Sequence, residues 1–217
     1  MTLLRTCPRC GAVAREPGDH APAWTCELHG EIVPVGPAQV PTQKLLRQVA
    51  LDSLVPVWMP RPLPEGWQVT GLQWAGAGAG GTVACVVAVS GPHPMPEVVD
   101  EEPTVDLIFV AEQPGIGLGA HLAGLDGVDP GPLLAEKAAH DPAEIKLHAD
   151  EHEVPLWSVP VDGGLAYVGE ASGVWLWVLA WPSSAALVLL NRFSLVDARN
   201  VETEPDLPCG PLTPRLR

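Results

Sequence analysis

An α+β fold, in which a small N-terminal ribbon precedes a mainly antiparallel sheet domain with one or two short helices, follows from three features of this 217-residue chain. Two short hooks built on cysteine stand at its start. Its 22 glycines and 25 prolines are too many for long helices. Its apolar stretches have the length of strands, and most are joined by connections too short for a helical crossover, which makes antiparallel pairing the rule.

The hooks are Cys7-Pro8-Arg9-Cys10-Gly11 and Cys26-Glu27-Leu28-His29-Gly30, with fifteen residues between Cys10 and Cys26. A hairpin across that gap brings three thiolates and one imidazole together, a donor set suited to tetrahedral Zn²⁺. The glycine after each pair can take the positive φ that turns backbone N–H groups toward the ligands. The spacing therefore predicts a zinc ribbon over residues 1–36, with Zn held by Cys7, Cys10, Cys26 and His29. Four protein ligands leave no open coordination position, so the expected role of the metal is structural. So short a segment buries too little apolar surface to order itself, whereas structural zinc supplies ~10–16 kcal/mol of apparent binding free energy. His20, inside the loop between the hooks, is expected to be solvated.

Residues 37–54 read as a linker and a helix: Thr42 is a natural N-cap, and Leu45, Leu46 and Val49 give an apolar face to a helix over 43–54. Residues 55–205 form the antiparallel α+β domain. It opens with a proline-rich strap at 55–67. The strands 67–75 and 82–90 follow, flanking a glycine-rich turn, and then a solvated loop at 91–103. A strand at 104–112 and a short helix at 118–122 precede a run of Gly and Pro that interrupts regular structure. Strands are expected at 145–148, 155–159, 165–170, 174–181 and 185–191, and a closing helix at 194–201. Residues 206–217 are a tail without a core of its own. The uncharged run at 173–190 has the length of a membrane span, but Pro182 in its middle favours two buried strands over one helix.

The net charge of −14 is unevenly placed. Residues 1–47 hold five basic and four acidic side chains, so the excess of acid lies entirely beyond them. Such a surface repels phosphates, so nucleic acid is not expected as a ligand of the large domain, and the ribbon, which alone could touch RNA, has no basic stripe. With no signal-peptide pattern at the start and thiols kept reduced, the expected location is cytoplasmic, with no membrane partner.

Three further groups bear chemistry. Residues 105–125, an apolar strand entering Gly115, Gly117 and Gly119, resemble the pyrophosphate-binding segment of the Gcn5-related acetyltransferases, which implies a cofactor held at those glycines. Glu112 stands where that family has Gln or Arg, and Pro114 lacks an N–H, so a glycine-rich packing turn is the competing reading. His140, His148 and His152 lie among five acids. A helix would place the last two on one face, whereas Pro142 favours a solvated loop. Trp175, Trp177 and Trp181 share one face of a strand, either a ligand platform or a face covered by the segments around Trp58 and Trp67.

The motifs CPRCG and CELHG, the strap VPVWMPRPLPEGW, the run FVAEQPGIGLGAHLAGLDGVDPGP, VPLWSVP, VGEASGVWLWVLAWP and the ending DLPCGPLTPRL resemble, in combination, an uncharacterised actinobacterial family of N-terminal zinc-ribbon proteins. The resemblance implies a lineage and no mechanism. The expected function is that of a zinc-ribbon binding or adaptor module whose partner is a protein or a small apolar ligand. The alternative is an acyl-CoA-dependent transferase using loop 115–120.

Overall fold

The computed structural model describes residues 4–18, 21–76, 80–95, 104–125, 129–190, 194–200 and 207–216. The expectations for His20, for the middle of the glycine-rich turn and for most of the loop at 91–103 lie outside them.

In the ribbon, β1 (Thr25–Cys26) and β2 (Gly30–Glu31) pair antiparallel with Cys26 opposite Gly30. Helix α1 (Gln43–Asp52) starts where the N-cap places it, because Thr42 Oγ1 accepts from the Leu45 N–H at 3.1 Å. It buries Leu46, Val49 and Ala50 and ends before Ser53, which bridges to Thr82. The expected strap contains a strand instead, β3 (Trp58–Arg61). It lies at an edge of the sheet, where the missing N–H of Pro60 is tolerated.

Strands β4 (Gln68–Ala75), β5 (Ala84–Pro92) and β6 (Thr104–Glu112) form an antiparallel meander, the last spanning the residues expected. Helix α2 (Leu118–Leu122) also lies where expected. Helix α3 (Gly131–His140) replaces the predicted interruption: Pro132 falls in its first turn, where a missing N–H leaves no helix bond unmade. Then follow β7 (Ile145–Ala149), β8 (His152–Val161), β9 (Gly164–Ala171) and β10 (Val174–Trp181).

The strand expected at 185–191 is a 3-10 helix, Ser183–Leu190, with Ala185, Val188 and Leu189 buried at helical rather than alternating spacing. The closing helix expected at 194–201 is strand β11 (Ser194–Asp197) followed by one 3-10 turn, Ala198–Asn200. Its buried positions, Leu195 and Asp197, alternate as strand residues do. No helix among the described residues is long and apolar enough to cross a membrane.

The nine-stranded sheet has the order β3-β11-β7-β8-β9-β10-β6-β5-β4. All pairings are antiparallel except a single parallel contact between Leu195 and Ala149. The sheet curls until β3 packs against β5 and β6, enclosing a core that includes Trp58, Leu72, Val87, Phe109 and Leu195. The opposite face carries a second core of Val86, Ile108, Val110, Trp177 and Leu179, covered by α2, α3 and the residue Val35 of the linker. Central strands are therefore apolar on both sides. Edge strand β4 is closed by two segments: the linker, through Val35 on Ala75 and Gln39 on Leu72, and the tail, through Pro208 and Gly210 on Val69. Leu216 sits over Gly71, where an added Cβ would come within 2.7 Å of its Cδ1, so the tail borrows the second core.

With Leu195 fully buried and Val196 partly so, Leu195→Ala should cost ~2–5 kcal/mol in urea unfolding, and Val196→Ala less than ~1.5 kcal/mol. Equal losses would contradict the strand assignment.

Candidate metal centre

Each hook folds as a tight turn. In the first, the Gly11 N–H donates to the Cys7 carbonyl at 2.9 Å, and in both the closing glycine is left-handed, with φ of 69° at Gly11 and 68° at Gly30. Cys7 Sγ lies 3.5 Å from His29 Nδ1. Cys26 Sγ lies 3.7 Å from Cys10 Sγ and 3.7 Å from His29 Nδ1. All four ligand atoms fall within 4.8 Å of one another, compatible with a metal site. A tetrahedron drawn with zinc–sulfur bonds of about 2.3 Å and zinc–nitrogen bonds of about 2.0 Å has S···S edges of about 3.8 Å and S···N edges of about 3.6 Å, which the observed spacings match. Burial pushes the Cys7 thiol up to about 11. At Cys26 burial also opposes the thiolate, but the backbone N–H groups of Leu28 and His29 and the His29 ring outweigh it and bring the thiol down to about 6.

The quartet is braced against the sheet domain. Arg5 Nη1 donates to the Gly76 carbonyl at 2.9 Å, and Arg9, inside the first hook, donates from Nη2 to the Gly115 carbonyl at 2.8 Å. Thr6 bridges to Val35, which in turn bridges to Ala75. Gly11 faces α2, since a Cβ there would lie 3.1 Å from His121 Nε2.

Gly115, Gly117 and Gly119 have three distinct structural uses. Gly115 turns the chain at φ 87° and offers its carbonyl to Arg9. Gly117 is the left-handed N-cap of α2. Gly119 admits the Trp177 ring, 2.2 Å from where its Cβ would stand. The amides at this helix start point at the protein's own carboxylate: Glu112 Oε2 accepts from Leu118 N at 2.6 Å, and Oε1 accepts from Gly119 N at 3.2 Å and from Trp177 Nε1 at 2.9 Å. Sequence reasoning treated Glu112 only as a departure from a motif. The signal available was an acid at the end of an apolar strand, six residues before a glycine-capped helix.

The three histidines are not brought together. His140 ends α3 and contacts the Glu136 carbonyl, His148 on β7 faces Glu153 across the β7–β8 pair, and His152 opens β8. Among the described residues the one group of three or more side chains placed to hold an ion is the Cys7, Cys10, Cys26 and His29 quartet. The tryptophan face is covered: Trp177 is 1% exposed under α2, Trp175 Nε1 donates to Asp129 Oδ2 at 3.3 Å, and Arg215 lies over Trp181. The cover is α2, α3 and the tail, whereas Trp58 and Trp67 belong to the other core. His93 Nδ1 accepts from the Met95 N–H at 3.0 Å, so the neutral ring carries its proton on Nε2, toward Ser184 Oγ at 2.9 Å.

The fold and the site together define a protein with a curled antiparallel sheet and a Cys3His ribbon braced against one face. The chain belongs to DUF6758, a family of unknown function, which matches residues 1–216. No curated protein and no solved structure matches it.

Glu112 is fully buried, and burial raises its carboxyl to about 7 against the opposing donors Gly119, Leu118, Trp177 and Gly117. Unfolded, it ionises near 4.5, so from about pH 4.5 to 7 the folded state holds a proton that the unfolded state has lost. Stability from this group thus falls as pH rises through that window, by about 3 kcal/mol, and levels off above it. Denaturant unfolding at pH 5 and pH 8 should show a larger loss for the wild type than for Glu112→Gln. Equal pH slopes would show that the carboxyl ionises at its ordinary value.

Proposed function

We propose that this protein is a cytoplasmic, non-enzymatic binding module in which one structural Zn²⁺, held by Cys7, Cys10, Cys26 and His29, orders a ribbon that presents a docking surface to a partner protein. The observation that carries the reading is the set of ligand spacings at tetrahedral edge length. Zinc suits the donors, three thiolates and an imidazole, better than hard, oxygen-preferring cations do. All four positions are protein ligands, which is the closed coordination of a structural site. What the ion supplies is order: the buried apolar residues of the described ribbon are Cys7, Pro8, Ala14, Cys26, Pro34 and Val35, so two of the six are ligands and the rest are small or scattered.

One side of the ribbon is spent on the sheet domain. Leu28, 77% exposed, and Val13, 61% exposed, stand close in sequence to the two hooks. Apolar side chains held out by a rigid knuckle suit a protein partner, and the net charge of −14 weighs against a nucleic acid. The acyl-CoA reading based on Gly115, Gly117 and Gly119 finds no support in an amide pair already taken by Glu112.

Metal analysis of the purified protein should give one zinc per chain, falling below about a tenth of an equivalent in Cys10→Ser. Trypsin should then cut the variant in the ribbon, at Arg9 or Arg15, and leave the sheet domain intact, since neither core depends on a ribbon ligand. Full metal retention in the variant, or an uncut ribbon after chelation, would refute the structural role. Once a partner is in hand, Leu28→Asp should weaken its binding by about tenfold or more with zinc content unchanged.

A further inference from the structure

A cavity of about 460 Å³ lies at the seam between the first hook, the linker, α2 and the C-terminal tail. That volume is typical of small-molecule sites, which are walled mostly by apolar groups with a few polar ones that fix orientation. Here the apolar walls are Leu118 and Leu122 from α2 and Leu212 and Leu216 from the tail.

The polar side chains of the described lining are Thr6, Cys7, Gln73, His121 and Arg215, of which Cys7 belongs to the metal-ligand quartet. Gln73 spends its Nε2 on the Gly36 carbonyl at 3.0 Å. Burial lowers the pKa of His121, which makes it a neutral ring. Among the described lining residues Arg215 is the one full charge. Its guanidinium lies over the Trp181 ring, 5.7 Å from the centroid, and its Nε stands 3.9 Å from Asp106 Oδ2, beyond hydrogen-bond distance, its one ion pair among the described residues. Among the described residues no acidic side chain lines this cavity.

The charge and the walls together select the ligand. A phosphate would need more than one cation or a set of open amides, and the amides of Leu118 and Gly119 are held by Glu112. A carboxylate is singly charged and planar, and it pairs with one guanidinium through two parallel hydrogen bonds. We propose that the seam cavity binds a small aliphatic monocarboxylate, its carboxylate on Arg215 and its chain among the four leucines. The inference extends the binding reading above and rests on it in one respect, that the ribbon forming one wall is ordered.

Calorimetric titration of the intact chain with octanoate and with 1-octanol tests it. Octanoate should bind at one equivalent and about tenfold tighter than the alcohol, because the carboxylate adds a charge-assisted pair. Arg215→Gln should abolish that preference and leave octanol within about twofold, while Arg215→Lys should restore part of it. Ala38→Trp, which sets a ring into the cavity wall, should weaken both probes by about tenfold or more. Equal wild-type affinities, undiminished octanoate binding by Arg215→Gln, or no heat with either probe would overturn the assignment. Zinc measured on the same samples separates the two readings: one equivalent of zinc without octanoate binding defeats the cavity alone. Octanoate binding by a chain that holds no metal sustains the cavity and defeats the metal.

Discussion

Four ligand atoms drawn to within 4.8 Å of one another set the constraint on which the N-terminal third of the architecture depends. A hairpin of two-residue strands has little core of its own, and two of the ligands, Cys7 and Cys26, are among the few residues it buries. With the hooks held, Arg5 and Arg9 reach the carbonyls of Gly76 and Gly115, and Gly11 meets His121. These contacts place the ribbon on β4 and α2. They give the linker a fixed start, from which residues 35 and 39 close the edge of β4. A local cluster of Cys and His side chains is thereby tied into a long-range brace.

The sheet domain stands on a different principle. Its central strands are buried on both faces, so their stability comes from two apolar cores rather than from a metal. Glu112 is the exception in this environment. Leu118, Gly119 and Trp177 donate to its buried carboxyl and offset part of the cost of burying it, and in return it caps the first amides of a five-residue helix. The glycine-rich segment is accordingly a packing device: one residue turns the chain, one caps the helix, and one makes room for an indole.

Much of this was legible in the residues. The hooks announce themselves because residue type and spacing are what a compact metal site demands, and the four side chains do converge. The bounds of β6 and the N-cap of α1 follow from an apolar run and from Thr42. The misses share a cause, which is that tertiary context overrode local punctuation. Pro130, Gly131 and Pro132 look like breakers, yet they start α3, where a proline in the first turn costs little. The run at 185–190 is as apolar as a strand, but its buried positions recur at helical spacing. Residues 194–197 resemble a helix start until Asp197 is seen accepting from the Val57 and Arg199 N–H groups inside the fold. The seam cavity was beyond reach altogether, because its walls come from five segments spread from residue 4 to residue 216.

X-ray absorption at the zinc edge of the purified protein examines the centre most directly. The coordination described here predicts a first shell of three sulfurs at about 2.3 Å and one nitrogen at about 2.0 Å, with no exchangeable oxygen. A shell of oxygen and nitrogen alone, or a protein that carries no zinc, would contradict it.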